Sequence, residues 1–205
     1  MTRLALALLL AAAPTGAQDW RRTATADDRA RLREWRTAWV EALAQARAGG
    51  AGEAIAAEPA LFDPDRALRG PSPPAGSYRC RTMKLGSKAA TGPAFVAYGW
   101  FACSVASDGT FAKLDGSQRP MGRIYPQDEL RAVFLGTLVL GDERRPLPHG
   151  RDRERDMAGW VERIGERRWR LVLPYPRFES LLDVVEIAPQ SVGTTGGGTT
   201  PSAGA

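Results

Sequence analysis

The stretch PHGRDRERDMAGW, residues 148–160, sets the only histidine of the chain, His149, beside three arginines, two aspartates and a glutamate. An imidazole among carboxylates is raw material for general acid–base or nucleophilic catalysis. Nucleophilic hydrolysis also needs a serine or cysteine beside the base and a third group to orient it. No G-x-S-x-G elbow, P-loop or dinucleotide-binding fingerprint occurs in the sequence, so the common motif-bearing enzyme classes lose support. His149 has no histidine partner, and the acids near it alternate with arginines that would oppose a cation. Neither a metal site nor a cofactor is expected.

Carboxylates alone can cleave glycosidic bonds, one as an acid with a raised pKa and the other as nucleophile or base. The candidates for such a hydrolase are Asp142, Glu143, Asp152, Glu154 and Asp156. The competing reading is an ion-paired, solvated connection between two strands, with His149, Asp152 and Asp156 framing a rim. Of the aromatic residues, Trp100, Phe101, Trp160 and Trp169 are candidates to line a cavity or to fill a core. The candidate rim or binding residues are therefore His149, Asp152, Asp156, Trp100 and Trp160, and no catalytic residue is assigned.

These residues must be carried by a folded, exported chain. MTRLALALLLAAAPTGA opens with one basic residue, continues as a short apolar run and ends in small residues. That is the pattern of a secretory signal peptide over residues 1–17, cleaved after Ala17. The apolar run is too short to span a hydrocarbon core, which needs about 20 residues, so no membrane span is expected. Export predicts a periplasmic or extracellular location, and the two cysteines, Cys80 and Cys103, are then expected to form a disulfide. The entropy of closing that loop predicts a stabilisation of roughly 3 kcal/mol. The formal charge of +5 over 205 residues is too weak to argue for nucleic acid.

Residues 18–76 read as a helical segment and a connector. TATADDRARLREWRTAWVEALAQARAGGAG has Thr25 as N-cap, acids in the first turn and a glycine pair at its end. Leu32, Trp35, Trp39 and Leu43 fall along one side of one amphipathic helix. EAIAAEPALF predicts a second short helical piece, and DPDRALRGPSPPAGS is the connector. Residues 77–189 form the β domain, with strands predicted at 78–85, 94–105, 110–114, 121–125, 130–140, 156–164, 169–175 and 180–187. Eight strands in sequence make an antiparallel meander, and an up-and-down, lipocalin-like barrel is preferred to a sandwich because closure removes exposed edges. The fold class is mainly β with an N-terminal helix (α+β).

A hairpin centred between Thr91 and Gly92 would set Cys80 directly opposite Cys103. The run VFLGTLVLG, residues 133–141, is apolar at successive positions and should be covered on both faces, with the tryptophan side of the first helix as the cover. The strand from Trp169 should keep a wetter side at Arg168, Arg170 and Val172. The uncharged tail, residues 190–205, has the composition of a disordered segment.

The words DWRR, KLGSK, GSQRPMG, FLGTLVLGDERR, GRDRERDMAGWVERIG and RRWRLVLPYPRFESLLDVVEI resemble a family of exported bacterial proteins grouped as domain of unknown function 4893. The resemblance runs from about Asp19 to about Pro189, and its most specific words lie in the C-terminal half. It implies a single small envelope or secreted protein, and it transfers no catalytic residue. The expected function is non-enzymatic binding of an apolar small ligand or an envelope protein partner, as a secreted protease inhibitor would do. Two alternatives remain open: a carboxylate-dependent glycan hydrolase, and a structural accessory protein without ligand.

Overall fold

The structure is a computed structural model that describes residues 16–141 and 143–190. Most of the predicted signal peptide and the predicted tail lie outside the described residues, as does Asp142. Among the described residues five α-helices and one π-helical turn (Arg47–Ala51) precede nine strands: α1 (Gly16–Thr23), α2 (Ala26–Arg33), α3 (Trp35–Ala46), α4 (Gly52–Ala56) and α5 (Pro59–Phe62), then β1 (Gly76–Leu85), β2 (Phe95–Ala97), β3 (Phe101–Val105), β4 (Thr110–Lys113), β5 (Gln118–Pro126), β6 (Arg131–Leu140), β7 (Asp156–Gly165), β8 (Arg168–Pro174) and β9 (Leu182–Pro189).

β1 pairs antiparallel with both β2 and β3, each strand from β3 onward pairs antiparallel with the next, and β9 pairs back onto β1, from Tyr78↔Pro189 to Leu85↔Leu182. That last pairing closes the sheet into a barrel and rules out the sandwich. The nine runs occupy eight strand positions, because β2 and β3 are two parts of one strand. β2 pairs with the C-terminal part of β1 (Leu85↔Phe95) and β3 with its N-terminal part (Cys80↔Phe101). Between Cys80 and Met83 β1 spends two residues, whereas its partner spends the three of Tyr98-Gly99-Trp100, which is a β-bulge.

The bulge and the turn correct the predicted disulfide register. The hairpin centres on Ala90, and Cys103 stands opposite Tyr78 rather than Cys80. Cys80 and Cys103 still face the same side as diagonal neighbours, with a Cα–Cα distance of 5.9 Å, and they are disulfide-bonded within the barrel.

Alternation sorts each strand into an inner and an outer face. The inner set includes Phe111, Phe134, Trp169, Leu171, Val185 and Ile187, all buried in one cluster. Phe111 meets Phe134 edge-on at 6.1 Å, and Tyr78 meets Trp169 edge-on at 6.0 Å. The connector seals this end: the Trp169 indole donates to the Gly70 carbonyl and the Tyr78 hydroxyl to the Pro74 carbonyl. Gly122 and Gly136 face each other across β5 and β6, so closely that a Cβ on Gly122 would lie 2.4 Å from the Gly136 Cα. Only glycine fits where the wall approaches itself in this way.

The helices wrap the outer face. Thr25 caps α2 in a reciprocal box with Asp28, its hydroxyl accepting from the Asp28 N–H at 3.1 Å while the Asp28 carboxylate accepts from the Thr25 N–H at 2.8 Å. The predicted single helix is broken at Glu34, so α2 and α3 follow the curved wall instead of leaving it at a tangent. As a result Leu32 and Trp39 cover different strands. Leu32 joins Trp20 of α1 over Val133, Leu135 and Ala158, whereas Trp39 packs with Met83, Leu85, Ile164, Val172, Leu182 and Val184. β6 is covered on both faces, but its outer cover is Trp20 and Leu32 rather than the α3 tryptophans. Gly50, at φ 91°, turns the chain out of the helical run.

The side of β8 expected to be wetter is dry. Arg170 and Val172 are fully buried beneath the helical segment. Arg170 pairs with buried Glu162 at 2.6 Å, donates to the carbonyls of Leu61, Asp63 and Arg66, and lies 4.6 Å from the Trp39 ring centroid. A buried charge held on all sides in this way satisfies the need for partners.

Candidate binding site at the barrel mouth

The end opposite the connector is open and polar. Inward alternation from Tyr78 and Cys80 brings Thr82 and Lys84 of β1 to this mouth, with Lys113 of β4, Gln118 of β5 and Asp183 of β9. Lys84, Lys113 and Asp183 are each buried. The loop between β8 and β9 adds Glu179 and Ser180.

Lys84 Nζ lies 3.1 Å from Glu179 and 3.4 Å from Asp183, whose other oxygen accepts from the Ser180 hydroxyl at 2.5 Å. Burial opposes the Lys84 charge, but Asp183 and Glu179 outweigh it and raise the lysine's pKa. Burial raises the Asp183 pKa above the ordinary carboxylate range despite Lys84 and Ser180. Glu179 adopts φ 64°, a left-handed conformation unusual for a residue with a side chain, at the point where its carboxylate meets Lys84.

Lys113 is held differently. Its ammonium donates to the Gln118 carbonyl at 2.9 Å and sits 3.7 Å from the Phe101 ring centroid. Among the described residues no carboxylate forms an ion pair with it, and burial lowers its pKa. Lys84, Lys113, Thr82, Tyr98, Phe101, Gln118 and Glu179 enclose a hollow of about 210 Å³. Lys84, Tyr98 and Glu179 also border a second hollow of about 340 Å³, which continues outward along Val96, Pro93 and Ala89. A third, smaller space of about 30 Å³, the scale of one water, is bordered by Asp156 and Phe178 and by the inward Leu138, Met157 and Val185.

The residues singled out from the sequence lie around this mouth or away from it. His149 Nε2 is 3.0 Å from the Asp28 carboxylate, which also holds Arg31 at 2.7 Å, so the histidine joins the β6–β7 connection to the start of α2. The His149 and Thr25 hydrogen bonds outweigh the burial of Asp28 and hold its carboxyl well below the usual range. The Asp156 carboxylate accepts from the Gly150 N–H at 2.8 Å, and its carbonyl accepts from Arg31 at 2.8 Å. Asp152 caps its own turn, accepting from the Glu154 N–H at 3.0 Å. Arg31 connects His149 and Asp156 in one clasp, donating both to the Asp28 carboxylate that meets His149 and to the Asp156 carbonyl.

The two tryptophans are not part of that clasp. Trp100 sits in the bulge between Arg79 and Arg81, whose guanidinium carbons lie 4.3 and 4.8 Å from its ring centroid. Trp160 is on the outer face, its indole donating to the Leu32 carbonyl at 3.1 Å. Trp169 is inside the barrel, and Phe101 stands at the mouth.

Lys84, Lys113 and Asp183 were missed in the sequence, although a signal for two of them exists. Once Cys80 is placed inside, period-two alternation puts Lys84 inside as well, and pairing through Cys103 does the same for Lys113.

Among the described residues no group of three or more His, Cys, Asp or Glu is placed to hold a metal ion, and no helix is long and apolar enough to cross a membrane. The fold is an N-terminal helical wrap on an eight-stranded antiparallel closed barrel of lipocalin-like form, an architecture compatible with a non-enzymatic binding role. The chain belongs to the family described as domain of unknown function (DUF4893), which matches residues 20–187. No match was found among curated proteins or among solved structures.

Proposed function

We propose that this is an exported, non-enzymatic binding protein of the cell envelope that receives a small ligand at the open mouth of its barrel. The observation that carries this reading is the division of the interior. One end is filled with the protein's own aromatic and aliphatic side chains and sealed by the connector, while the other keeps a hollow of about 210 Å³ walled by buried charged groups. Buried charge around empty space is costly to maintain unless something uses it.

Export is supported by the leader pattern at residues 1–17 and by the disulfide. Cleavage after Ala17 would leave the whole described core in place, including Trp20, whose indole donates to Gln127 at 2.8 Å. The hydrolase reading draws less support. A glycosidase acid needs a raised pKa, whereas Arg155 grips Glu143 at 2.5 and 2.6 Å and lowers it, and Glu154 is ion-paired with Arg177.

Native mass spectrometry of protein recovered from the periplasm tests the reading. A small-molecule adduct is expected on the wild type and not on Ser117→Trp, where the new ring at an exposed mouth position obstructs the hollow. Bare monomer from both proteins would overturn it.

A further inference from the structure

We infer that the mouth is a monocarboxylate site, in which the Lys113 ammonium holds the carboxylate head and the ligand's apolar body runs past Tyr98 into the hollow lined by Val96, Pro93 and Ala89. This inference rests on the mouth being the binding site and adds the chemistry of what binds there.

The two lysines of the mouth are not equivalent. Lys84 is neutralised from both sides by Glu179 at 3.1 Å and Asp183 at 3.4 Å. Lys113 is as deeply buried, with 7% of its surface exposed, yet its partners are a carbonyl and an aromatic ring. An ammonium carries three donors, and a neutral carbonyl satisfies one of them. Asp115, nearest in sequence, accepts instead from the Ala102 N–H at 3.2 Å. A buried cation without a counter-ion, on the wall of a hollow large enough for several heavy atoms, is a seat for an anion.

The charge of the seat limits what fits. Glu179 and Asp183 already match the Lys84 charge, which leaves the single charge of Lys113 without a paired carboxylate among the described residues. One carboxylate matches that charge, whereas a phosphomonoester would bring a second negative charge towards Glu179. Shape sets the orientation. The outer hollow shares Lys84, Tyr98 and Glu179 with the inner one and continues along Val96, Pro93 and Ala89, so an apolar body lies there with its head inward.

The test is an NMR titration of the oxidised, exported protein with hexanoate and with phenylacetate, each against its neutral primary amide. The acids are expected to bind at least about tenfold more tightly than the amides, the increment of one good charge-assisted contact. Lys113→Gln should bring the acids down to the amide level and leave the amides unchanged, while Lys113→Arg should keep the preference. Equal binding of acid and amide to the wild type, or an undiminished acid preference in Lys113→Gln, would overturn the inference. If acid and amide bind equally and Ser117→Trp weakens both, the mouth is still the site and only the charge argument fails. If no probe binds and the native mass spectra show bare monomer, both readings fall.

Discussion

His149 Nε2 lies 3.0 Å from the Oδ2 of Asp28, across 121 residues of sequence, and the same carboxylate closes the capping box of α2 with Thr25. The only histidine of the chain is thereby tied to a helix N-terminus, where negative charge is favoured. The charged stretch that most resembles a catalytic motif is used to anchor the β6–β7 connection to the helical wrap.

Asp28→Asn should therefore lower stability at neutral pH by about 2 kcal/mol, through loss of charge-assisted hydrogen bonds to a buried group. It should also change the response to acid. Because the folded-state pKa of Asp28 is depressed, its contribution is complete above the unfolded carboxylate value of about 3.9 and is lost as pH falls below it. Urea melts of wild type and variant from neutral pH downward should converge in acid. Parallel curves would show that the carboxylate charge contributes nothing.

Asp183 should act with the opposite sign. Its folded-state pKa is raised by burial, so the folded state holds the proton more tightly and stability falls as pH rises through the window above the unfolded value. Lys84→Met removes the cation that limits this effect. The variant should be less stable than wild type at neutral pH by about 3 kcal/mol and recover part of the loss on mild acidification. Thermal melts at two pH values decide it, and a loss independent of pH would contradict the account.

The Arg170–Glu162 pair predicts an asymmetry between single and double substitution. Arg170→Met alone takes from the buried Glu162 carboxylate one of its two arginine partners, leaving Arg131, and should cost about 3 kcal/mol. Pairing it with Glu162→Leu should restore much of that loss, although the carbonyls of Leu61, Asp63 and Arg66 lose their donor in both variants. Additive losses in denaturant titrations would show that Arg170 acts through those carbonyls and not through Glu162.

Breaking the disulfide by Cys80→Ala with Cys103→Ala should cost roughly 3 kcal/mol on the loop-closure argument. The intact protein should have a mass two hydrogens below its reduced form. A wild type whose denaturation midpoint does not respond to reductant would show that the bridge adds nothing to stability.

Gly136→Ala should be more damaging than its size suggests, because a Cβ there would meet the Met121 carbonyl oxygen at 2.3 Å and the Gly122 Cα at 2.7 Å. A loss of about 2 kcal/mol or more is expected from the forced separation of β5 and β6. A neutral effect on the thermal midpoint would mean that the wall can relax there.

What the sequence determined by itself is what depends on neighbours along the chain. Short runs rich in β-branched and aromatic residues between turn signals placed all eight strand positions, Thr25 announced its cap, and two cysteines downstream of a leader-like stretch announced their bridge, because composition, caps and loop closure are local. Closure of the barrel decided the rest. It put Lys84 beside Asp183, 99 residues away, where β9 returns to β1. A turn centred on Ala90, together with one extra residue at Tyr98–Trp100, set the cysteines diagonal rather than opposite, and a break at Glu34 sent Leu32 and Trp39 to different strands. Across a closed wall, a side chain's neighbours come from strands remote in sequence and depend on register. Register is a sum over every turn and bulge, so no single stretch of residues carries it.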